Sequence, residues 1–418
     1  MRYSLGRNSL IAPLIFFFIS PALFLPFVVS GVRKGERWAV FLFALFLGLW
    51  AWLTIPFADL FRHNEHYLSY LDKPYEFIWA QYFLENETVE YDFIIPTISW
   101  FMVNNGIPFQ YLRFFEAILS CLMLYNVFDY MVRHSKAVYS KADVWKRLLI
   151  LFLFYELMYV VCGVRYGMAL CLFIYGFHCF CNRKNYVLGT LFYVLAIGTH
   201  TSLSVIVPLS IIGVISIRNR KMALVALALA TPIMGFLMSE YSSILGIRAK
   251  WYLDEGNSLY GEGYEEVTSA GLAVMMIWRL PSLFFAYVAW KYFDKKSIWS
   301  RVVLLWALLT VCLSMNSVLL IRVSWLLGAF GIFALIDLEN NAKMSNNIIM
   351  SAIVAGMLST LGGIVNNKTI LYYSHYEYLV KPIPVILTHQ YTEGWMRSHI
   401  DNNTVIRDTR GDFILKHN

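Results

Sequence analysis

The residues of this chain best suited to chemistry are arginines that interrupt apolar runs. Arg165 follows Gly163 at the start of an apolar stretch, and Arg322 stands between two others. Arg279 lies about nine residues inside a third stretch, roughly 13 Å deep at about 1.5 Å per helical residue. A charge at such depth costs several kcal/mol unless it is paired or faces a polar cavity, so it marks function by default. The planar guanidinium fork holds two oxygens at once and keeps its charge, which suits a phosphate or diphosphate. The plain alternative is a snorkelling anchor, or an ion pair with Glu116, Asp254 or Glu265. A second group, Asp59-Leu-Phe-Arg62-His63 followed by Glu65 and His66, puts an acid, a guanidinium and an imidazole within five residues. Such a group can hold a sugar and accept a proton; the alternative is a solvated loop start. His200, in Gly198-Thr199-His200-Thr201-Ser202, is suited to act as a base or a hydrogen-bond partner, or simply to close a turn.

The elements that position these residues must be membrane helices. Of the 418 residues 59% are hydrophobic and only 15% charged, with a mean hydropathy of +0.57. Soluble domains average about 25% charged residues, so lipid has to solvate much of this chain. Aromatic residues, 17% of the total, suit anchors at the two membrane interfaces. At about 20 apolar residues per crossing, the runs predict 10–12 transmembrane helices, the first over Leu10–Val29, read as a membrane segment and not as a signal peptide. Arg33, Lys34, Arg37, Arg133, Lys136, Lys141, Arg183, Lys184, Arg218, Arg220, Lys221 and Lys291 fall in alternate connections, which predicts those connections inside and the N-terminus outside. The same clustering explains the net charge of +7 without a nucleic-acid partner. Residues 1–418 read as one integral membrane domain, with outer connections at 58–110 and 239–269 and a C-terminal tail at 366–418. Tyr75, Ile78, Trp79, Tyr82 and Phe83 follow helical spacing and predict an amphipathic interfacial helix in the first connection. The second, polar and glycine-containing, reads as a lid or a plain link. The six cysteines show no CxxC or metal-type spacing and read as apolar filler. P-loop, dinucleotide fingerprint, HExxH, outer DxD and a recognisable nucleophile are all missing from the sequence, so no metal and no cofactor are expected.

Four places together resemble a known family. They are the second apolar run ending in Asp59-Leu-Phe-Arg62-His63-Asn64-Glu65-His66-Tyr67, then Val164-Arg165-Tyr-Gly-Met-Ala169, then Ala196-Ile-Gly-Thr-His200-Thr-Ser202, and finally Ile321-Arg322-Val-Ser-Trp325. Their order and spacing resemble the O-antigen polymerases of the Wzy type and the related EpsG-like exopolysaccharide polymerases. The resemblance implies an all-α polytopic membrane protein with a GT-C-like bundle. It implies a bacterial inner-membrane glycosyltransferase that joins oligosaccharide repeats carried on undecaprenyl diphosphate at the periplasmic face, with a chain-length regulator as a possible partner. In that chemistry the diphosphate is already a good leaving group, and positive charge on its oxygens is what helps. Arg165, Arg279 and Arg322 are the expected diphosphate ligands, Asp59 or His200 the group that takes or orients the hydroxyl proton, and Arg62, His63 and Arg248 the substrate contacts. A flippase for the same lipid-linked sugar is the main rival, but it calls for charges along a central cavity between two repeated halves, and no repeat is visible. An O-antigen ligase uses similar arginine and histidine logic, and a membrane O-acetyltransferase lacks its usual signature here.

Overall fold

The computed structural model describes residues 11–56, 59–78, 93–155, 165–200, 202–225, 228, 277, 280–312, 317–342, 344–366, 368–391, 400–401, 405–407 and 413–416. They are helical almost throughout. The chain opens with α1 (Ile11–Ile19) and α2 (Pro21–Lys34), one apolar run broken at Ser20. Pro21 forces its predecessor out of the helical region, and Ser20 is extended at φ −157°. Gly35 then ends α2 in the left-handed conformation, at φ +78°, and the basic turn leads into α3 (Arg37–Leu53).

Next come α4 (Asp59–Ser69), α5 (Ile94–Asn104), α6 (Phe109–His134), α7 (Lys141–Phe154), α8 (Tyr166–Cys181), α9 (Tyr186–Thr199) and α10 (Leu203–Ser216). The later helices are α11 (Leu283–Lys291), α12 (Ile298–Cys312), α13 (Ser317–Glu339), α14 (Asn346–Asn366), α15 (Lys368–Tyr373) and α16 (Ile383–Thr388). The first outer connection is therefore more structured than a single interfacial helix. It holds α4 and α5, and of the expected 75–83 helix residues 75–78 form a helical turn while 79–83 lie outside the described residues. The 239–269 connection also lies outside them. Among the described residues the one departure from an all-α chain is a small antiparallel sheet in the tail, β1 (Ile400–Asp401), β2 (Val405–Arg407) and β3 (Phe413–Lys416), in that order.

Several helices are inside out by the standards of a water-soluble protein. On α14 the exposed residues Met350, Val354, Met357, Leu361 and Val365 form a continuous apolar stripe at helical spacing, and Val187, Leu191 and Val194 do the same on α9. Water does not tolerate apolar stripes of that length on a stable fold, whereas lipid does. Helix α6 and residues Asn346–Val365 of α14 are long and apolar enough to cross a bilayer on their own. The inward faces form one large core running through α2, α3, α6, α7, α8 and α11–α13, where Trp52, Trp299, Phe173 and Phe330 are fully enclosed. A smaller core of Leu60, Tyr67, Tyr70, Ile95, Val103 and Leu112 holds α4 and α5 against the start of α6.

Polar contacts collect at two opposite ends. At the basic end Arg147 and Glu339 form a buried ion pair, with Nε to Oε2 at 2.7 Å, and Tyr139 donates to the same carboxylate at 2.8 Å. Arg183 reaches Asn126 there at 2.8 Å, Trp299 reaches Asn182, and Arg220 reaches the Lys291 carbonyl. The clusters expected to lie on one side of the membrane thus converge in space. The other end carries residues 52–56, 104–113, 165 and 200–202, together with the C-terminal segment 374–391, which is tied back onto α3.

Candidate functional site

Helix α8 brings the site together. Arg165 is its N-cap and is half-buried, and the next residue, Tyr166, is a nearly buried ring with two neighbours. Its edge meets His200 with centroids 5.2 Å apart at 80°, and Trp325 lies 5.4 Å away at 50°. Three of the four sequence motifs therefore meet at one aromatic junction, although they are far apart in the chain. Tyr166, Gly167, Leu170, Trp325 and Ala329 line a cavity of about 20 Å³ beneath it, closed by Phe154 and Tyr155. That is about the room one water requires. The Tyr155 hydroxyl braces the floor against Cys171 Sγ at 2.6 Å and the Gly167 carbonyl at 3.3 Å.

His200 caps the end of α9, and its own carbonyl starts α10 by accepting from Leu203. Gly198 lets this turn approach α5, since a Cβ there would stand 2.9 Å from Ile94 Cδ1. The ring orientation is set by Ser202, whose backbone N–H donates to Nδ1 at 3.2 Å and whose hydroxyl lies 2.8 Å from the same atom. A backbone N–H can only donate, so Nδ1 is the acceptor and the neutral ring carries its proton on Nε2. The geometry thus makes His200 a hydrogen-bond donor toward anything that meets Nε2.

Two charged residues that the sequence motifs do not contain complete the cluster. Arg113 and Glu116 sit one helical turn apart near the start of α6, 1% and 7% exposed. The Arg113 guanidinium donates through Nη1 to the Thr54 carbonyl at 2.8 Å. Among the described residues neither carboxylate oxygen of Glu116 has a hydrogen-bond partner, yet Arg113 and Arg165 are both within electrostatic reach of it. Glu116, considered above as an ion-pair partner of Arg165, thus lies within electrostatic reach of Arg165 and of Arg113. A pair of opposite charges three residues apart inside an apolar helix was the available signal for it.

The remaining expected residues are distributed as follows. Arg322 belongs to α13, one turn before Trp325 and on the same helix face. Asp59 and Arg62 lie in the first turn of α4; for these two and Arg322 only the backbone is described. His63 is half-buried on α4, whose inward face is Leu60, Asn64 and Tyr67. Arg248 and Arg279 lie outside the described residues. The fourth motif does not enter the aromatic junction. Its Asn64 and Tyr67 line a separate groove, which Arg113 also lines.

Comparison with known proteins settles the family. The model of the EpsG family matches residues 39–379, which covers α3 through the turn after α15 and every motif above. This chain belongs to the EpsG family. No curated protein and no solved structure is similar to it. EpsG membership together with the lipid-suited apolar helices makes the chain a membrane protein and a polysaccharide polymerase of glycosyltransferase type. As an EpsG-family protein it keeps Arg165, His200 and Arg322 inside the matched region, and the aromatic junction is built from family-matched helices alone.

Proposed function

We propose that this EpsG-family protein extends a bacterial O-antigen or exopolysaccharide by joining undecaprenyl-diphosphate-linked repeat units at the periplasmic face of the inner membrane. The observation that carries the reading is the junction of Tyr166, His200 and Trp325. It gathers the Arg165 helix start and the Arg322 turn at the end of the molecule opposite the basic end. Two guanidiniums there suit the two phosphates of a lipid diphosphate, with their charge matched to oxygens that become more anionic as the glycosidic bond breaks. The acceptor hydroxyl attacks the anomeric carbon, the bond to the diphosphate oxygen breaks, and the hydroxyl proton passes to a base.

Because Ser202 occupies Nδ1 of His200 as a donor, we assign His200 the role of orienting an oxygen through its Nε2–H. The proton then falls to Asp59, at the start of α4. Arg62 and His63 contribute to sugar binding in this scheme. Arg279 as a third diphosphate ligand and Arg248 as a substrate contact rest on sequence reasoning, as does a chain-length regulator as partner.

The test is deletion of the gene in its host, with surface polysaccharide and lipid-linked intermediates resolved by gel and mass spectrometry. Single repeat units that are exported and attached at the surface support the polymerase. Full-length polymer retained on its carrier identifies a ligase, and unexported single units identify a flippase. Unchanged chain length overturns the polysaccharide reading.

A further inference from the structure

At the same end as the aromatic junction lies a groove of about 330 Å³, bounded by the end of α3, the inward face of α4, the turn between α5 and α6, the start of α6 and the C-terminal segment. That volume is at the lower end of the range of about 300–1,000 Å³ for small-ligand sites. Its polar lining is Asn64, Gln110, Arg113 and Gln390 and its aromatic lining Tyr67, Phe109 and Tyr391, set among aliphatic residues of α4 and α5. We propose that this groove is a saccharide-binding site, which holds the sugar end of the acceptor repeat unit while the diphosphate end of the donor occupies the Arg165 region. The identity of the saccharide rests on the polymerase reading; the chemistry of the groove does not.

The lining argues for a sugar in three ways. First, the two tyrosines present rings, not hydroxyls. Tyr67 donates its hydroxyl to the Ile107 carbonyl, and Tyr391 donates to the Leu53 carbonyl at 2.6 Å. The rings are thereby fixed as walls against which the C–H face of a pyranose packs. Second, Gln390 is exposed and carries donors and an acceptor on one side chain, which matches hydroxyls that both give and take hydrogen bonds. Third, the described lining contains no carboxylate, and its one guanidinium, Arg113, already donates through Nη1 to the Thr54 carbonyl. A lining of amides and aromatic rings of this kind suits a polyol.

The walls are also set before any ligand arrives. Gln110 Nε2 is held between the Trp52 and His389 carbonyls at 3.4 Å each, and Arg113 is anchored on Thr54. Trp52 in turn donates to the His389 carbonyl at 2.8 Å, so the C-terminal segment is locked onto α3 by the residues that shape the groove. Preorganisation of this kind lowers the ordering cost of binding. The mouth stays open at Gly106, where φ is +67° and an added Cβ would meet nothing within 4 Å. Arg113 in the groove and Arg165 at the helix start proposed for the diphosphate are both within electrostatic reach of Glu116, so the two sites share one end of the molecule.

The experiment uses the purified full-length protein in detergent. The probe is the lipid-free oligosaccharide released by mild acid from the host polysaccharide, with binding read by saturation-transfer NMR and titration calorimetry. The expected result is saturable binding that Asn64→Ala and Gln390→Ala each weaken about tenfold. Gln390 is exposed, so its substitution tests the groove without disturbing the core. Equal affinity in the two groove variants, or no saturable binding to the unaltered protein, overturns the proposal. Displacement of the oligosaccharide by undecaprenyl diphosphate alone, in Asn64→Ala as in the unaltered protein, also overturns it, because the groove would then be a lipid site. Failure of the polymerase reading shows separately, as unchanged polysaccharide after gene deletion, and leaves groove-dependent oligosaccharide binding standing.

Discussion

His200 illustrates how one hydrogen bond changes a residue's expected part. A turn histidine read from sequence is equally a base or a donor, and the Ser202 backbone N–H on Nδ1 decides for the donor. We expect His200→Gln, which keeps an N–H near the same place, to retain a measurable part of the polymer yield in complemented deletion cells. His200→Phe, which keeps only the ring against Tyr166, should retain none. Equal loss in both variants would count against the donor role and restore the base. At Arg165 the expected order is Lys better than Ala, with both at least about tenfold below the unaltered protein. Lysine keeps a charge and loses the two-pronged geometry worth more than one hydrogen bond. The gel profile of surface polysaccharide measures both.

Between helices, the strongest single tie at the basic end is Arg147 with Glu339, which binds α7 to α13 through side chains only 6% and 3% exposed. Removing one partner leaves a buried charge, a loss of about 3–5 kcal/mol, while replacing both with apolar residues of similar size is often neutral. We therefore expect Glu339→Gln to lower the melting temperature in detergent markedly, and Arg147→Met with Glu339→Leu to recover most of it. A double variant as unstable as the single one would show that the pair does more than satisfy its own charges. The packing of α11 on α13 depends on Gly331 in a different way. A Cβ there would lie 2.0 Å from Cγ of Phe285, a ring enclosed in the core. Gly331→Ala should destabilise by about 1–3 kcal/mol through overpacking, readable in the same melting experiment.

At the scale of the whole molecule, the C-terminal segment closes the end where both proposed sites lie. His375 Nδ1 and His389 Nε2 are 2.9 Å apart, and Tyr391, Tyr376 and Ser374 fasten the segment to α3. Burial, with the neighbouring His375 adding to it, holds the His389 ring below the ordinary histidine value of 6.5. The unfolded chain therefore binds more protons than the folded one as pH falls through about 6.5 toward the lower folded value, so stability is lost over that window and not regained below it. Thermal stability measured from pH 8 down to pH 5 should decline accordingly, and His389→Phe should flatten the decline even if it lowers the starting value. An unchanged slope would assign the pH response elsewhere. The family region ends at residue 379, so the Gln390 and Tyr391 wall of the groove lies just beyond what the family match covers. The sequence by itself determined the helical class and the lipid environment, because hydropathy and isolated charge are properties of composition and local order. It also marked Asp59 to Tyr67 as special, though as part of a connection and not as a helix. Only the tertiary structure decided that Tyr166, His200 and Trp325 share one junction, that Arg113 lines a groove with Asn64 and Tyr67, and that the C-terminal segment supplies a wall of that groove. Those relations join residues tens to hundreds of positions apart, and a helix periodicity that repeats every few residues carries no information about which distant helix it will face.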